Sequence, residues 1–179
     1  MAQIISVGEK FPSFSLPAVV SLETGKEFKT LGSNDLKGKW VIFFFWPLDF
    51  TFICPTEIVE FNRHLVKLNE LNADLYGASL DSKYVHLAWR KSSTELQGLK
   101  FPMLADNKRE LSEALGILHP QAKIPLRATY IIDPEGNVRW LSINDIEVGR
   151  NIAEVVRTLE ALQTGELCPI NWQKGQATL

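Results

Sequence analysis

The 179-residue chain carries a net charge of −2, with 22% charged and 45% hydrophobic residues, which suits one soluble domain with a substantial core and gives nucleic acid or anionic lipid no electrostatic hold. The longest apolar run, Trp40 to Leu48, is too short to cross a bilayer and contains a proline, and Met1 to Ile5 lacks the basic and long apolar regions of a signal peptide, so the expected setting is the cytoplasm, with no membrane partner. Only Cys54 and Cys168 are cysteines; in a reducing compartment a permanent disulfide is not expected, and transient pairing stays open.

Phe11 to Lys29, with turn signals at Pro17 and Gly25, reads as an added N-terminal hairpin. Trp40 to Trp46 is aromatic and β-branched, the pattern of a buried strand. Pro55 suits the first helical position, where its missing N–H is no loss. That places Cys54 at the N-cap and Glu57 at the third helical residue, with Ile58, Phe61, Leu65 and Leu68 along one apolar face. Asp74 to Leu80 reads as a second strand. Asp81 or Ser82 then caps a helix towards Ser92 that carries Tyr84, Val85, Leu87, Ala88 and Trp89. A shorter helix covers Arg109 to Leu115. Ala128 to Ile132 is a further core strand, joined through the turn Asp133-Pro134-Glu135-Gly136 to a hairpin partner over Val138 to Ile143. Asn151 caps the last helix with Glu154 at the capping-box position; Ile152, Val155, Val156, Leu159 and Leu162 line one face, and Gly165 ends it. Glu166 to Leu179 shows no periodicity and reads as an arm. The order predicts an α/β sandwich around a mixed sheet. No repeat, linker or low-complexity tract divides it.

Cys54 lies where that reading puts a strand-to-helix turn. A sulfur there faces unpaired N–H groups and the positive end of the helix dipole, which favour the nucleophilic thiolate. An isolated cysteine is more often an inert core residue; Pro55, Thr51 and Pro47 around this one argue for reactivity. His64, His86 and His119 lack metal-ligand spacing with either cysteine, no Cys-x-x-Cys is present, and no Gly-rich phosphate loop occurs, so no metal or cofactor is expected.

The run Asp49-Phe50-Thr51-Phe52-Ile53-Cys54-Pro55-Thr56-Glu57, preceded by Pro47, resembles the Pro-x-x-x-Thr-x-x-Cys signature of the peroxiredoxins. The likeness continues through Trp89-Arg90, Phe101 to Asp106, Arg127, Val148 to Asn151, and Glu166-Leu167-Cys168-Pro169 followed by Trp172. It covers essentially the whole chain and is most similar to the alkyl hydroperoxide reductase C type of typical two-cysteine peroxiredoxin. The resemblance implies a thioredoxin-like fold over residues 1–165 and a C-terminal arm over 166–179. It implies that Cys54 attacks the peroxide and becomes a sulfenic acid, and that Cys168 of the other subunit of a homodimer resolves it as a disulfide. Thr51 then binds the peroxide, Pro47 shields the sulfur, Arg127 lies beside it, Glu57 orients Arg127, and Arg150 is a second arginine of the network. For Arg150 a structural salt bridge remains an equal alternative, and Trp89 matches a packing position near the site. The partners implied are peroxides, further copies of the chain in a ring (decamer or dodecamer), and a flavoprotein, thioredoxin or D-type alkylhydroperoxidase as disulfide reductase. A redox sensor or relay and a chaperone-like holdase are the rival functions.

Chemistry adds a constraint. A free cysteine thiol, with a pKa of about 8.5, is only ~3% ionised at neutral pH. Each pKa unit of thiolate stabilisation needs about 1.4 kcal/mol, and a helix N-terminus supplies on the order of 1 kcal/mol, so a nearby cation is required. Arg127 fits. Complete ionisation raises the attacking species only ~30-fold, and the lower nucleophilicity of the stabilised thiolate takes back roughly tenfold. The rate must therefore come from donors that align the peroxide and stabilise its leaving oxygen. Glu95-Leu96-Gln97-Gly98-Leu99 stands where peroxide-sensitive relatives carry Gly-Gly-Leu-Gly, and the sequence ends at Leu179 without their Tyr-Phe helix. Disulfide formation is accordingly expected to outrun oxidation to sulfinic acid.

Overall fold

In the computed structural model, which describes residues 4–179, the elements in chain order are β1 (Ser15–Val19), β2 (Phe28–Gly32), a 3₁₀ turn (Ser33–Leu36), β3 (Trp40–Phe45), α1 (Cys54–Arg63), α2 (Leu65–Glu70), β4 (Ala73–Ser79), α3 (Lys83–Ser92), α4 (Thr94–Gln97), β5 (Met103–Ala105), α5 (Glu110–Ala114), β6 (Arg127–Ile132), β7 (Val138–Asn144) and α6 (Ile152–Thr164). The leader-free reading of the N-terminus rests partly on Met1 to Gln3, which lie outside the described residues. Among the described residues no helix is long and apolar enough to cross a membrane.

The strands form one seven-stranded sheet in the order β2-β1-β5-β4-β3-β6-β7. β3, β4 and β5 run parallel; every other neighbour pair is antiparallel. β3 is covered on both faces, which explains its unbroken apolar run. Ile42 and Phe44, with Trp46 just beyond the strand, belong to the core layer that also holds Ile58, Phe61, Trp89, Val155 and Leu159. Val41, Phe43 and Phe45 join the opposite layer with Tyr76, Leu111, Leu115 and Tyr130. The alternation follows the two-residue period of a strand, and each fully buried phenylalanine contributes about 1.5–3 kcal/mol. Gly77 in β4 has a specific reason: a Cβ there would lie 2.8 Å from ring atoms of both Phe44 and Trp46.

The expected α/β sandwich with a mixed sheet is present, with several corrections. The N-terminal hairpin is present as β1 and β2, and it extends the main sheet, because β1 pairs with β5 at Ala18 and Val19. Pro17 is a strand residue and not a turn; β5 stops short of it, so its missing N–H breaks no β5 ladder bond. The helix predicted from Pro55 begins at Cys54, because Ile53 is already helical (φ −80°, ψ −40°) and its carbonyl accepts from Glu57 N at 3.3 Å. Ile53 is thus the N-cap, Cys54 the first helical residue and Glu57 the fourth. The apolar face over Ile58 to Leu68 is split between α1 and α2 at His64, whose Nδ1 lies 2.9 Å from the Glu60 carbonyl and competes for that helical acceptor. β5 is an additional strand.

Ser82 caps α3 by accepting from Val85 N at 3.3 Å. The buried residues of α3 are His86, Trp89 and Arg90, whereas Tyr84 and Ala88 face solvent. For α6, Asn151 Oδ1 accepts from Glu154 N at 3.2 Å and Gly165 takes the left-handed terminal conformation (φ 69°). The Glu154 carboxylate instead grips Arg157, at 2.6 and 2.7 Å, so the box is half formed. The arm after Gly165 contains no helix or strand, yet it is ordered against α6: Arg157 donates to the Trp172 carbonyl at 2.9 Å, and Trp172 is buried.

Candidate active site

The end of β3, the loop 46–53 and the first turn of α1 bring Pro47, Thr51 and Cys54 to one apolar pocket of about 360 Å³. Leu48, Phe52, Ile53, Ile124, Arg127, Ile146 and Glu147 complete its lining. Cys54 is fully buried at its base. Arg127 opens β6, whose pairing with β3 carries the guanidinium under the helix start. Its Nη1 lies 3.4 Å from Cys54 Sγ and 2.7 Å from Glu57 Oε2. Its Nε donates to the Ile146 carbonyl at 2.8 Å, so the loop after β7 fixes the other edge of the plane. A buried arginine anchored on two sides presents its donors in one direction.

Arg150 belongs to the same cluster. Its Nη1 is 2.9 Å from Glu57 Oε2, and its backbone N–H donates to Glu57 Oε1 at 3.0 Å. Nη2 bonds the Phe45 carbonyl and reaches the Ala128 carbonyl at 3.3 Å, while the guanidinium sits 5.3 Å from the Phe44 ring. Burial, aided by Arg127, pushes Arg150 down to about 10 against the pull of Glu57 and Cys54, which leaves it cationic at neutral pH. Two guanidinium groups therefore face one carboxylate, and the cluster reaches electroneutrality when the sulfur carries a negative charge. Arg150 makes a structural salt bridge and is also part of the charge cluster around the sulfur; the two readings from the sequence are compatible.

The Thr51 hydroxyl donates to the Leu48 carbonyl at 2.9 Å. Its lone pairs remain to accept an O–H from a bound molecule. Pro47 is buried in the pocket wall. Phe50, beside Thr51, adopts φ 56°, a left-handed conformation that costs an aromatic residue about 1–3 kcal/mol. Its ring lies 5.7 Å from Trp89, which places Trp89 next to the site as a packing residue.

Cys168 is not brought to Cys54 within the chain. Both are free thiols, and Cys168 Sγ contacts its own α6, 3.5 Å from Thr164 Oγ1 and 3.7 Å from the Ala161 carbonyl.

Reasoning from sequence missed a second buried polar group. Asp49 Oδ2 lies 2.6 Å from His86 Nδ1, and Asp49 Oδ1 accepts from Trp46 Nε1 at 2.8 Å. His86, Trp89 and Arg90 are spaced as one helical face, so an inward histidine was available from the spacing. Its partner, five residues before Cys54, was not.

A sulfur beside a cation, at the base of an apolar pocket with a hydroxyl at its rim, can attack a small electrophile and stabilise the charge that leaves. The AhpC/TSA family matches residues 7–141. Alkyl hydroperoxide reductase C of Mycobacterium tuberculosis is 41% identical over 184 aligned residues, 98% of this chain and 94% of its own. The solved structure of Mycobacterium tuberculosis AhpC superposes with a TM-score of 0.87 at 40% identity, over 96% of this chain and all of that one (100%). Reduced Plasmodium vivax 2-Cys peroxiredoxin gives 0.89 at 35% identity, over 96% and 91%. The thioredoxin-like α/β fold is common to them.

Proposed function

The chain belongs to the AhpC/TSA family as a thiol peroxidase of the alkyl hydroperoxide reductase C and 2-Cys peroxiredoxin type, reducing hydroperoxides, and on that footing we propose that Cys54 is its attacking sulfur and Cys168 its resolving one. The observation that carries the assignment is Arg127 Nη1 at 3.4 Å from Cys54 Sγ, at the base of a pocket that Thr51 and Pro47 also line.

In the first step the sulfur lone pair forms an S–O bond to the terminal peroxide oxygen as the O–O bond breaks. The departing oxygen takes a proton and leaves as water or an alcohol; Cys54 becomes a sulfenic acid. Arg127 donates to the peroxide oxygens and holds them in line with the sulfur, and Thr51 accepts the peroxide O–H. Pro47 and the apolar wall keep competing water out. Glu57 orients Arg127, and Arg150 fixes Glu57. In the second step a Cys168 thiol forms an S–S bond to the sulfenic sulfur, whose hydroxyl leaves with a proton as water. An external dithiol then returns two electrons and two protons.

We assign Cys168 in this step to the other protomer of a homodimer, because each chain holds its own Cys168 against α6 while Cys54 is buried elsewhere. The functional division is residues 1–165 as the thioredoxin-like domain and 166–179 as the arm. A ring of dimers, a cytoplasmic setting and reduction by a flavoprotein, thioredoxin or D-type alkylhydroperoxidase complete the reading.

One equivalent of hydrogen peroxide followed by non-reducing electrophoresis tests it. Wild type is expected to give a covalent dimer that Cys54→Ser and Cys168→Ser each abolish. A prereduced wild type that consumes peroxide no faster than glutathione does overturns the assignment of Cys54.

A further inference from the structure

Cys54 is fully buried, and a disulfide requires its sulfur to come within about 2.05 Å of another. The loop 47–53 and the start of α1 must therefore open between the two chemical steps, whereas attack on peroxide needs them closed around Arg127. Something must set that balance.

One residue gives the loop its buried polar anchor. Leu48, Phe50 and Phe52 are exposed, and Phe50 is held in its left-handed conformation. Asp49 alone in the loop turns a carboxyl side chain into the protein interior. Its Oδ2 is 2.6 Å from His86 Nδ1, its Oδ1 accepts from Trp46 Nε1 at 2.8 Å, and its backbone N–H donates to Asp81 Oδ2 at 2.7 Å. Ser79 Oγ adds a contact at 3.4 Å. His86 is fully buried, and its Nε2 lies 3.0 Å from the Leu104 carbonyl. Both ring nitrogens thus face oxygen acceptors, so a proton is held between Nδ1 and the carboxylate whichever atom owns it. Neither Asp49 nor His86 lines the pocket. Lifting the loop strips this pair of its bonds and leaves a buried imidazole without its partner, a change that strongly disfavours opening.

We propose that the Asp49–His86 pair is the latch of the active-site loop, a pair of positioning residues that divides Cys54 between peroxide attack in the closed state and disulfide formation in the open one. The inference rests on Cys54 and Cys168 acting as assigned above. While the closed state remains the major one, a weaker latch multiplies the small open population and barely alters the large closed one. The two steps must then respond unequally. A merely structural defect would slow both.

Stopped-flow tryptophan fluorescence on the full-length protein, confirmed by rapid-quench mass spectrometry, separates the peroxide step from disulfide formation. For Asp49→Asn the disulfide step is expected to accelerate about tenfold or more, with the peroxide rate constant lowered by less than about twofold. The peroxide concentration that converts half of Cys54 to sulfinic acid rises in the same proportion. An unchanged or slower disulfide step, in protein with wild-type circular dichroism, overturns the latch. Trp46→Phe, which removes the donor to Asp49 Oδ1 together with part of the buried indole volume while the residue stays aromatic, decides the matter if Asp49→Asn does not fold, provided its circular dichroism is that of wild type. Its disulfide step is expected to rise severalfold, and an unchanged one overturns the latch equally. Wild type measured alongside keeps the questions apart: if it forms no sulfenic acid or no covalent dimer, the functional assignment fails and not the latch.

Discussion

Glu57 and Arg127 meet through a single contact, Oε2 to Nη1 at 2.7 Å, with both side chains buried. The same oxygen lies 2.9 Å from Arg150 Nη1, and the same nitrogen 3.4 Å from Cys54 Sγ. One carboxylate therefore keeps two buried cations apart and fixes where one of them meets the sulfur.

Glu57→Gln preserves the shape of that arrangement and removes its charge. Arg127 and Arg150 would then face each other without an anion, and breaking a buried pair in this way costs about 3–5 kcal/mol. The urea midpoint is expected to fall and the peroxide rate constant to drop about 100-fold. Wild-type values in both measurements would contradict the role given to Glu57.

Arg127→Lys separates charge from geometry. A lysine ammonium supplies a cation near the sulfur, but not the planar donors held at once by Glu57 and the Ile146 carbonyl. The ultraviolet thiolate absorbance is expected to persist while the peroxide rate constant falls about 100-fold or more. Near-normal turnover would show that ionisation, and not alignment of the peroxide, carries the rate.

The sequence made the site legible where spacing carries the signal. Pro47, Thr51 and Cys54 lie within one short segment, and the pocket gathers all three. Arg127 and Glu57 are 70 positions apart and meet only because β6 pairs with β3 beside α1. Residue type could nominate them; the resemblance joined them. The helix start was misplaced by one residue because Ile53 takes a helical conformation that no side-chain pattern announces. Asp49 and His86 escaped for a different reason. An aspartate among exposed loop residues reads as solvated, and its burial depends on a histidine that β4 and α3 bring beneath it. The short strand β5, three residues long, offers too few positions for alternation to register.

Gly77 lies inside β4 at a point of close approach. A glycine within a strand marks a near neighbour, and here the neighbours are the rings of Phe44 and Trp46, at 2.8 Å from a would-be Cβ. Gly77→Ala is expected to destabilise the protein by about 1–3 kcal/mol through overpacking. Because Trp46 Nε1 holds Asp49 at 2.8 Å, displacement of its ring should also speed disulfide formation. Urea denaturation and the disulfide step measured together check both; an unaltered midpoint would mean that the two rings yield freely.

The turn between β6 and β7 carries its own pH signature. Burial alone would raise the Asp133 carboxyl, but the Asn137 side chain and backbone donate to it, at 2.8 to 3.1 Å, and Arg139 lies 3.6 Å away. These outweigh burial and hold it below the usual carboxylate range. Between that lowered value and the ordinary aspartate value of about 3.9 the unfolded chain binds more protons than the folded one. The stabilisation is thus complete above the unfolded value and disappears as pH falls through the folded one. Asp133→Asn removes the ionised acceptor and should lower stability by about 1 kcal/mol or more at neutral pH. The gap between variant and wild type is expected to stay level down to about pH 5 and to narrow below pH 4. Urea midpoints across that range test it, and a gap that widens on acidification would show that Asp133 is not held as its neighbours imply.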